Sequence, residues 1–101
     1  MTVFVAHEQT EESSLRLSKI VLKLQFENPT DCFIPAAIAF EHLYNGYFSQ
    51  KEIYDIETDV LSNCDQLLIV SDISPIMQMQ IDFARMVGME VIDLAEKYRS
   101  I

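Results

Sequence analysis

The 101-residue sequence predicts an α/β fold in which helices cover both faces of a mainly parallel sheet. Short apolar runs without polar alternation recur along the chain, as expected of strands that are covered on both sides. Between them lie longer segments with apolar residues three and four positions apart, which indicates amphipathic helices. Strand and helix therefore alternate, and this order is typical of parallel strands joined by helical crossovers.

The composition is that of one packed domain covering residues 1–101. Half of the residues are hydrophobic, and only two are Gly and three are Pro, which excludes a disordered chain. No apolar run approaches the roughly 20 residues that span a bilayer, and the N-terminal segment lacks the basic start of a signal peptide. We therefore expect a cytoplasmic protein without membrane contact.

The formal net charge is −9, from sixteen acidic and seven basic residues. Because such a charge repels phosphate backbones, nucleic-acid binding is not expected. The acidic residues are scattered, which favours a solvated surface; the alternative is a surface that occupies a basic site on another protein. Cys32 and Cys64 do not form a CxxC pair, so no metal site is expected, and both are predicted to be buried, reduced thiols.

The first predicted strand, Thr2–Ala6, ends at a polar loop that begins with His7 and Glu8. The segment Glu11–Glu27 then has apolar residues at helical spacing. Its predicted buried stripe consists of Leu15, Leu17, Ile20, Val21, Leu22, Leu24 and Phe26. The solvent-facing side is assigned to the basic residues Arg16, Lys19 and Lys23.

The middle of the chain predicts a strand and two helices. The apolar run Asp31–Ala37 contains a proline, which cannot donate to a neighbouring strand and so indicates a strand end or a sheet edge. Ile38–Tyr47 has the spacing of a short helix. The loop Tyr44–Tyr47 is a candidate to stack on a base, but a place in the core is favoured for Tyr44. Ser49 and Glu52 form a capping box at the start of the next helix. Its predicted buried face consists of Ile53, Ile56, Val60 and Leu61.

The stretch from Gln66 to Gly88 contains the strand Leu67–Val70, the polar loop Ser71–Ser74 and a third helix. Ser74 is a good N-cap for this helix because Pro75 follows it at the first helical position. Gly88 is predicted to end the helix in the left-handed conformation. The buried line of the helix is expected to contain Met77, Ile81 and Ala84.

Met89–Leu94 predicts the last strand, and Ala95–Ile101 a terminal turn or helix. Right-handed crossovers then give a three-layer, flavodoxin- or Rossmann-like fold with about four strands in the order 2-1-3-4. In that order the first strand separates Cys32 from Cys64 by too much for a disulfide. Because open α/β sheets bind ligands beyond the carboxyl ends of their strands, the loop Ser71–Ser74 is expected to line a site.

Four segments follow one another at spacings that point to a known family: VFVAHE, FIPAAIAF, NCDQLLIVSD and SPIMQMQIDFARMVGMEV. Over nearly the whole chain the sequence resembles the nucleoside 2-deoxyribosyltransferase-like superfamily, and within it the small phage- or prophage-type members of unknown function. The resemblance implies a bacterial or phage protein that binds a nucleoside or nucleotide-like molecule without a cofactor. Enzymes of the superfamily share sites between subunits. The apolar excess of this sequence, with its candidate exposed Met and Phe residues, favours a homo-oligomer.

Gln80 stands where the enzymes of this superfamily carry the glutamate nucleophile that attacks the sugar. An amide oxygen is uncharged and a poor nucleophile, so transferase activity is not expected. Ile76 replaces the glycine that opens the turn in the family motif. The positions that still match the motif are Ser74, Met77, Ile81, Ala84 and Gly88.

The remaining candidate site residues follow the first and third predicted strands. Asp72 is the best carboxylate for a sugar hydroxyl or a general-base role, with capping of the helix as the alternative. His7 titrates near neutral pH and is a usable acid or base, and Glu8 could contact a ligand hydroxyl; the alternative for both is an ordinary structural or surface role. The predicted ligand-binding set is His7, Glu8, Asp72, Ser74, Met77 and Gln80.

Three functions are consistent with these observations. The first is a nucleoside- or nucleotide-binding protein that has lost the transferase nucleophile at Gln80. The second is an active N-glycosidase or deoxyribosyltransferase-type enzyme in which Asp72, Glu8 or His7 activates water. The third is an acidic, phage-type inhibitor or interaction protein that acts on a host protein through its surface charge.

Overall fold

A computed structural model describes residues 1–8, 13–36 and 49–101. The described residues form four strands: β1 (Thr2–Ala6), β2 (Cys32–Pro35), β3 (Gln66–Ile69) and β4 (Glu90–Asp93). They also form three helices: α1 (Ser13–Glu27), α2 (Gln50–Ser62) and α3 (Pro75–Met86). The helix predicted at Ile38–Tyr47 and the loop Tyr44–Tyr47 lie outside the described residues. None of the three described helices is both long enough and apolar enough to cross a membrane.

The strands form one parallel sheet in the order β2-β1-β3-β4, which confirms the predicted α/β class and strand order. The two central strands are almost completely buried, as their unbroken apolar sequences require. β2 is an edge strand, and Pro35 is its last residue. Right-handed crossovers place α1 on one face of this sheet and α2 and α3 on the other, where α2 packs against α3.

The predicted buried stripe of α1 is only partly correct. Leu17, Ile20 and Leu24 are buried in the core, as expected. The other three leucine and phenylalanine residues assigned to that stripe are exposed instead, namely Leu15, Leu22 and Phe26. With 3.6 residues per turn, these three positions lie about half a turn around the helix from the buried ones. They therefore form a separate apolar stripe that faces away from the sheet.

The two cysteines differ in exposure, which corrects the prediction that both are buried. Both are free thiols, but only Cys64 is buried, and Cys32 is exposed. Cys32 begins the edge strand β2, so it has a strand neighbour on one side alone. Burial raises the pKa of the Cys64 thiol, and the nearby Asp65 carboxylate adds to this shift.

The helix boundaries follow the predicted capping residues. Ser49 and Glu52 form the expected capping box at the start of α2. The Ser74 hydroxyl accepts a hydrogen bond from the backbone N–H of Met77 at 3.3 Å, and Pro75 occupies the first position of α3. Gly88 has a φ of 77°, the left-handed conformation that a glycine adopts without strain. Ser74 and Pro75 therefore determine where α3 begins at the edge of the sheet, and Gly88 follows the end of this helix.

Candidate functional site

An open cleft lies at the carboxyl edge of the sheet, where the segments that follow β1, β3 and β4 meet. It has a volume of about 170 Å³ and adjoins a wider surface groove of about 710 Å³. The cleft is lined by Glu8, Arg16, Ser71, Asp72, Ala95 and Arg99. The groove adds Ile73, Asp93, Leu94, Glu96 and Lys97. This is the edge at which open α/β sheets bind ligands.

Ser71 joins the loops that follow the two central strands. Its hydroxyl accepts a hydrogen bond from the backbone N–H of Glu8 at 2.8 Å and lies 3.0 Å from the carbonyl oxygen of Asp72, to which it can donate. The Met77 sulfur lies 3.6 Å from the same hydroxyl. Ser71 therefore fixes both walls of the cleft and links them to the first turn of α3.

Asp72 presents an accessible carboxylate to the cleft. It is exposed, and its Oδ1 lies 3.7 Å from Nη2 of Arg99. The same Arg99 nitrogen is 2.9 Å from Oε1 of Glu96. Since the Ser74 hydroxyl caps α3, the helix does not need Asp72 for this purpose. The exposed ion pair contributes little to stability, so both of its charged groups are available to a ligand.

Arg16 forms the floor of the cleft, which corrects its assignment to the solvent side of α1. Its Nη1 donates to Nε2 of His7 at 2.6 Å and to the carbonyl oxygen of Val70 at 2.9 Å. Its Nη2 donates to the carbonyl oxygen of Tyr98 at 2.6 Å, and the Tyr98 side chain is fully buried. One guanidinium therefore joins the residue that follows β3 and the C-terminal segment to His7.

His7 is a buried, neutral ring in this arrangement. Its Nδ1 lies 2.7 Å from the carbonyl oxygen of Glu8, and a carbonyl can only accept, so Nδ1 carries the proton. Its Nε2 must then accept from Arg16, because a guanidinium can only donate. Burial lowers the pKa of His7 and the Arg16 charge lowers it further, against the opposing effect of the Glu8 carbonyl. The ring holds Arg16 in place.

Gln80 lies away from the cleft, in the interface between α2 and α3. Its side chain is 1% exposed, and its Nε2 donates to Oε2 of Glu57 at 2.6 Å. Glu57 is also 1% exposed. A hydrogen bond from a neutral amide to a carboxylate is stronger than one between two neutral groups, and it satisfies polar atoms that are costly to bury alone.

The structure thus brings together part of the predicted ligand-binding set. Glu8 and Asp72 line the cleft, and His7 supports its floor through Arg16. Met77 contacts Ser71 of the cleft, and Ser74 caps the helix turn that carries Met77. Gln80 contacts Glu57 instead.

The sequence placed Ser71 in the predicted site loop without giving it a role, and it did not single out Arg16, Arg99 or Glu57 as site residues. For two of them the helical spacing carried a signal. Arg16 lies four positions before the buried Ile20, and Glu57 lies four positions before the buried Leu61, so each borders a buried stripe. Nothing in the local sequence around Arg99 indicated that it would face Asp72.

Compared with models of protein families, with curated proteins and with solved structures, the chain shows no match. Among the residues that the structure describes, no three His, Cys, Asp or Glu side chains are grouped so that they could hold a metal ion. The groups that the cleft offers to a ligand are carboxylates, a hydroxyl and guanidinium groups.

Proposed function

We propose that this protein binds a small molecule of the nucleoside or nucleotide type in the cleft, without transferring its sugar. The observation that carries the proposal is the grouping of Glu8, Asp72 and Arg99 around an open cleft at the carboxyl edge of a parallel sheet. The adjoining groove, at about 710 Å³, falls within the range of roughly 300–1,000 Å³ that small-molecule sites occupy.

The lining supplies one kind of contact for each part of such a ligand. The carboxylates of Glu8 and Asp72 accept hydrogen bonds from sugar hydroxyls. Arg99 offers a guanidinium to a phosphate, which would replace the exposed carboxylates that it now contacts. Ile73 and Leu94 give the groove an apolar part against which a base can pack. A ligand with hydroxyl, anionic and flat apolar parts fits this combination.

The placement of Gln80 and His7 supports binding without catalysis. Gln80 carries no charge, is buried and uses its amide to contact Glu57. Both ring nitrogens of His7 are engaged, by Glu8 and by Arg16, so the ring would have to leave this network before it could exchange a proton with a substrate.

Saturation-transfer NMR against adenosine, deoxyadenosine, AMP and ADP-ribose tests the proposal, with Asp72→Asn as the cleft variant. Asp55→Asn is the matched control because it removes the same charge from an exposed position on α2, outside the cleft. We expect ligand signals for the wild type and for Asp55→Asn, and at least tenfold weaker binding for Asp72→Asn. Arg99→Met should weaken binding of the phosphate-bearing ligands alone.

The absence of a ligand signal from the wild type with all four compounds would overturn the proposal. Equal binding by Asp72→Asn and Asp55→Asn would overturn it as well. A parallel assay for free base released from deoxyadenosine should remain at the background rate. Release that depends on Asp72 would instead support the N-glycosidase alternative, since a hydrolytic enzyme needs a base to activate water.

A further inference from the structure

The outward surface of α1 is both apolar and basic. Leu15, Leu22 and Phe26 are 64%, 70% and 88% exposed, and they form one stripe along the helix. Lys19 and Lys23 are exposed beside this stripe, and Glu27 is exposed at the end of the helix, so basic groups outnumber acidic ones by two to one here. We call Leu15, Lys19, Leu22, Lys23 and Phe26 the α1 face. It stands out because the whole chain carries a net charge of −9.

The outward surface of the two helices on the other side of the sheet is apolar and acidic. On α3, Met79 and Met86 are 49% and 76% exposed, and Asp82 lies on the same stripe. The α2/α3 face consists of Met79, Met86 and the exposed acidic residues Glu52, Asp55, Asp59 and Asp82. Its exposed basic residues are Lys51 and Arg85, so acidic groups outnumber basic ones by two to one.

The two faces are complementary but point in opposite directions. Each combines exposed apolar side chains with charged groups, and the signs of the charges are opposite. Because the sheet separates α1 from α2 and α3, one molecule cannot bring its own two faces together. A second copy of the chain can do so without any change of conformation.

We propose that the α1 face of one molecule packs on the α2/α3 face of a second copy, in a head-to-tail contact. The apolar residues Leu22 and Phe26 would pack against Met79 and Met86, with lysines of one copy near carboxylates of the other. A contact between different faces leaves a free face at each end. The assembly therefore grows with concentration or closes into a ring.

A symmetric contact between identical faces fits the charges less well. Pairing two α1 faces would bring Lys19 and Lys23 of one copy towards the same residues of the other. Pairing two α2/α3 faces would bring together two sets of carboxylates. Like charges brought into contact oppose association, whereas opposite charges guide it. The head-to-tail arrangement is the one that covers both apolar surfaces and also pairs opposite charges.

Two single substitutions block one face each. Phe26→Glu places a negative charge in the apolar part of the α1 face, and Met86→Glu places a negative charge in the apolar part of the α2/α3 face. Both residues are highly exposed, so the fold should tolerate the changes, which urea unfolding checks. Thr30→Glu is a control at an exposed position outside both faces. The molar mass is measured by light scattering during size-exclusion chromatography over a range of concentrations.

We expect the wild type and the Thr30→Glu control to exceed the 11.6 kDa of one chain as concentration rises. Each face variant alone should associate at least tenfold more weakly. An equimolar mixture of Phe26→Glu and Met86→Glu should form a dimer of twice the chain mass and stop there, because each partner keeps one intact face and the two altered faces repel each other. High salt should weaken this dimer.

Three results would overturn the proposal. The first is a wild type that stays at 11.6 kDa throughout the concentration range. The second is a face variant that self-associates as well as the wild type, which would indicate a symmetric contact. The third is an associating wild type whose two face variants do not form a dimer when mixed.

Discussion

Two carboxylates in this protein are held by nitrogen donors in opposite environments. Asp72 faces Arg99 across the open cleft at 3.7 Å, with both side chains largely exposed. Glu57 accepts from Gln80 at 2.6 Å in the closed interface between α2 and α3. Water screens the first contact and is excluded from the second. The more exposed pair is therefore the one that is free to exchange its partner for a ligand.

The exposure of the two pairs also separates effects on stability from effects on binding. A buried polar group that loses its partner, or gains a like charge, imposes a large free-energy penalty on folding. An exposed ion pair can be removed with little change in the free energy of unfolding. Substitutions at Glu57 and Gln80 should therefore act on folding, and substitutions at Asp72 and Arg99 on ligand binding.

The largest effect is expected for Gln80→Glu, with Gln78→Glu as its matched control. Like Gln80, Gln78 donates its amide to a carboxylate. Its partner is Asp82, four positions later on the same helix at 2.9 Å, and this pair is exposed. Gln80→Glu should lower the free energy of unfolding by about 3 kcal/mol near neutral pH, because two buried carboxylates would be in contact. Gln78→Glu should lower it by less than about 0.5 kcal/mol. Urea unfolding measures both.

The pH dependence gives this comparison a second readout. Two carboxylates in contact cannot both ionise, so one of them keeps its proton in the folded Gln80→Glu variant. Its pKa is then raised on folding, and the penalty should shrink as pH falls and grow as pH rises. Equal losses for the Gln78 and Gln80 variants would contradict the view that α2 and α3 seal the pair from water.

A smaller change in the free energy of unfolding is expected from the titration of His7, which lies between the cleft and the core. Burial lowers the pKa of His7 below 6.5 in the folded state. At a pH just below 6.5 the protein therefore takes up a proton at His7 when it unfolds. The stability contribution of the neutral ring is complete above 6.5 and is lost as pH falls through the folded-state pKa. A single proton changes the unfolding free energy by at most about 1.4 kcal/mol per pH unit.

The measurement is the difference in slope between the wild type and His7→Gln, from urea unfolding at intervals between pH 5 and pH 8. His42 is present in both proteins and cancels in the comparison. We expect a shallower dependence for His7→Gln below pH 6.5. Parallel curves for the two proteins would show that His7 is not a buried neutral ring.

The smallest effect on stability is expected for Asp72→Asn. The exposed contact with Arg99 is worth less than about 0.5 kcal/mol, so the urea midpoint should stay within error of the wild type. This makes the variant a clean probe of the ligand proposal, since any loss of binding would not reflect unfolding. A loss of stability near that of Gln80→Glu would contradict the distinction between the exposed pair of Asp72 with Arg99 and the buried pair of Gln80 with Glu57.

Most of the fold could be predicted from local patterns in the sequence. Continuous apolar runs indicated β1 and β3, and the capping residues Ser49 and Ser74 determined where two helices begin. The crossover rule then led to the observed strand order. The error at Leu15, Leu22 and Phe26 arose because apolar character alone was read as burial, although the helical period places these residues opposite the core.

The candidate site was predicted less completely, because it depends on groups that are far apart in the sequence. Glu8 and Asp72 follow strands, so the topology alone placed them at one edge. Arg16 reaches a carbonyl 82 positions later in the chain, and Gln80 reaches a carboxylate 23 positions earlier. Such contacts depend on how the helices rotate and pack once the sheet has formed, and no local pattern encodes that.

The α/β class and the strand order followed from local patterns in the sequence, because periodicity and capping are properties of short segments. Tertiary packing was needed to bury the Gln80 amide against Glu57 and to place Asp72 in an open cleft with Arg99. Packing also selected the stripe of α1 that faces outwards. Burial and charge pairing are properties of packed surfaces, which exist only after distant segments have met.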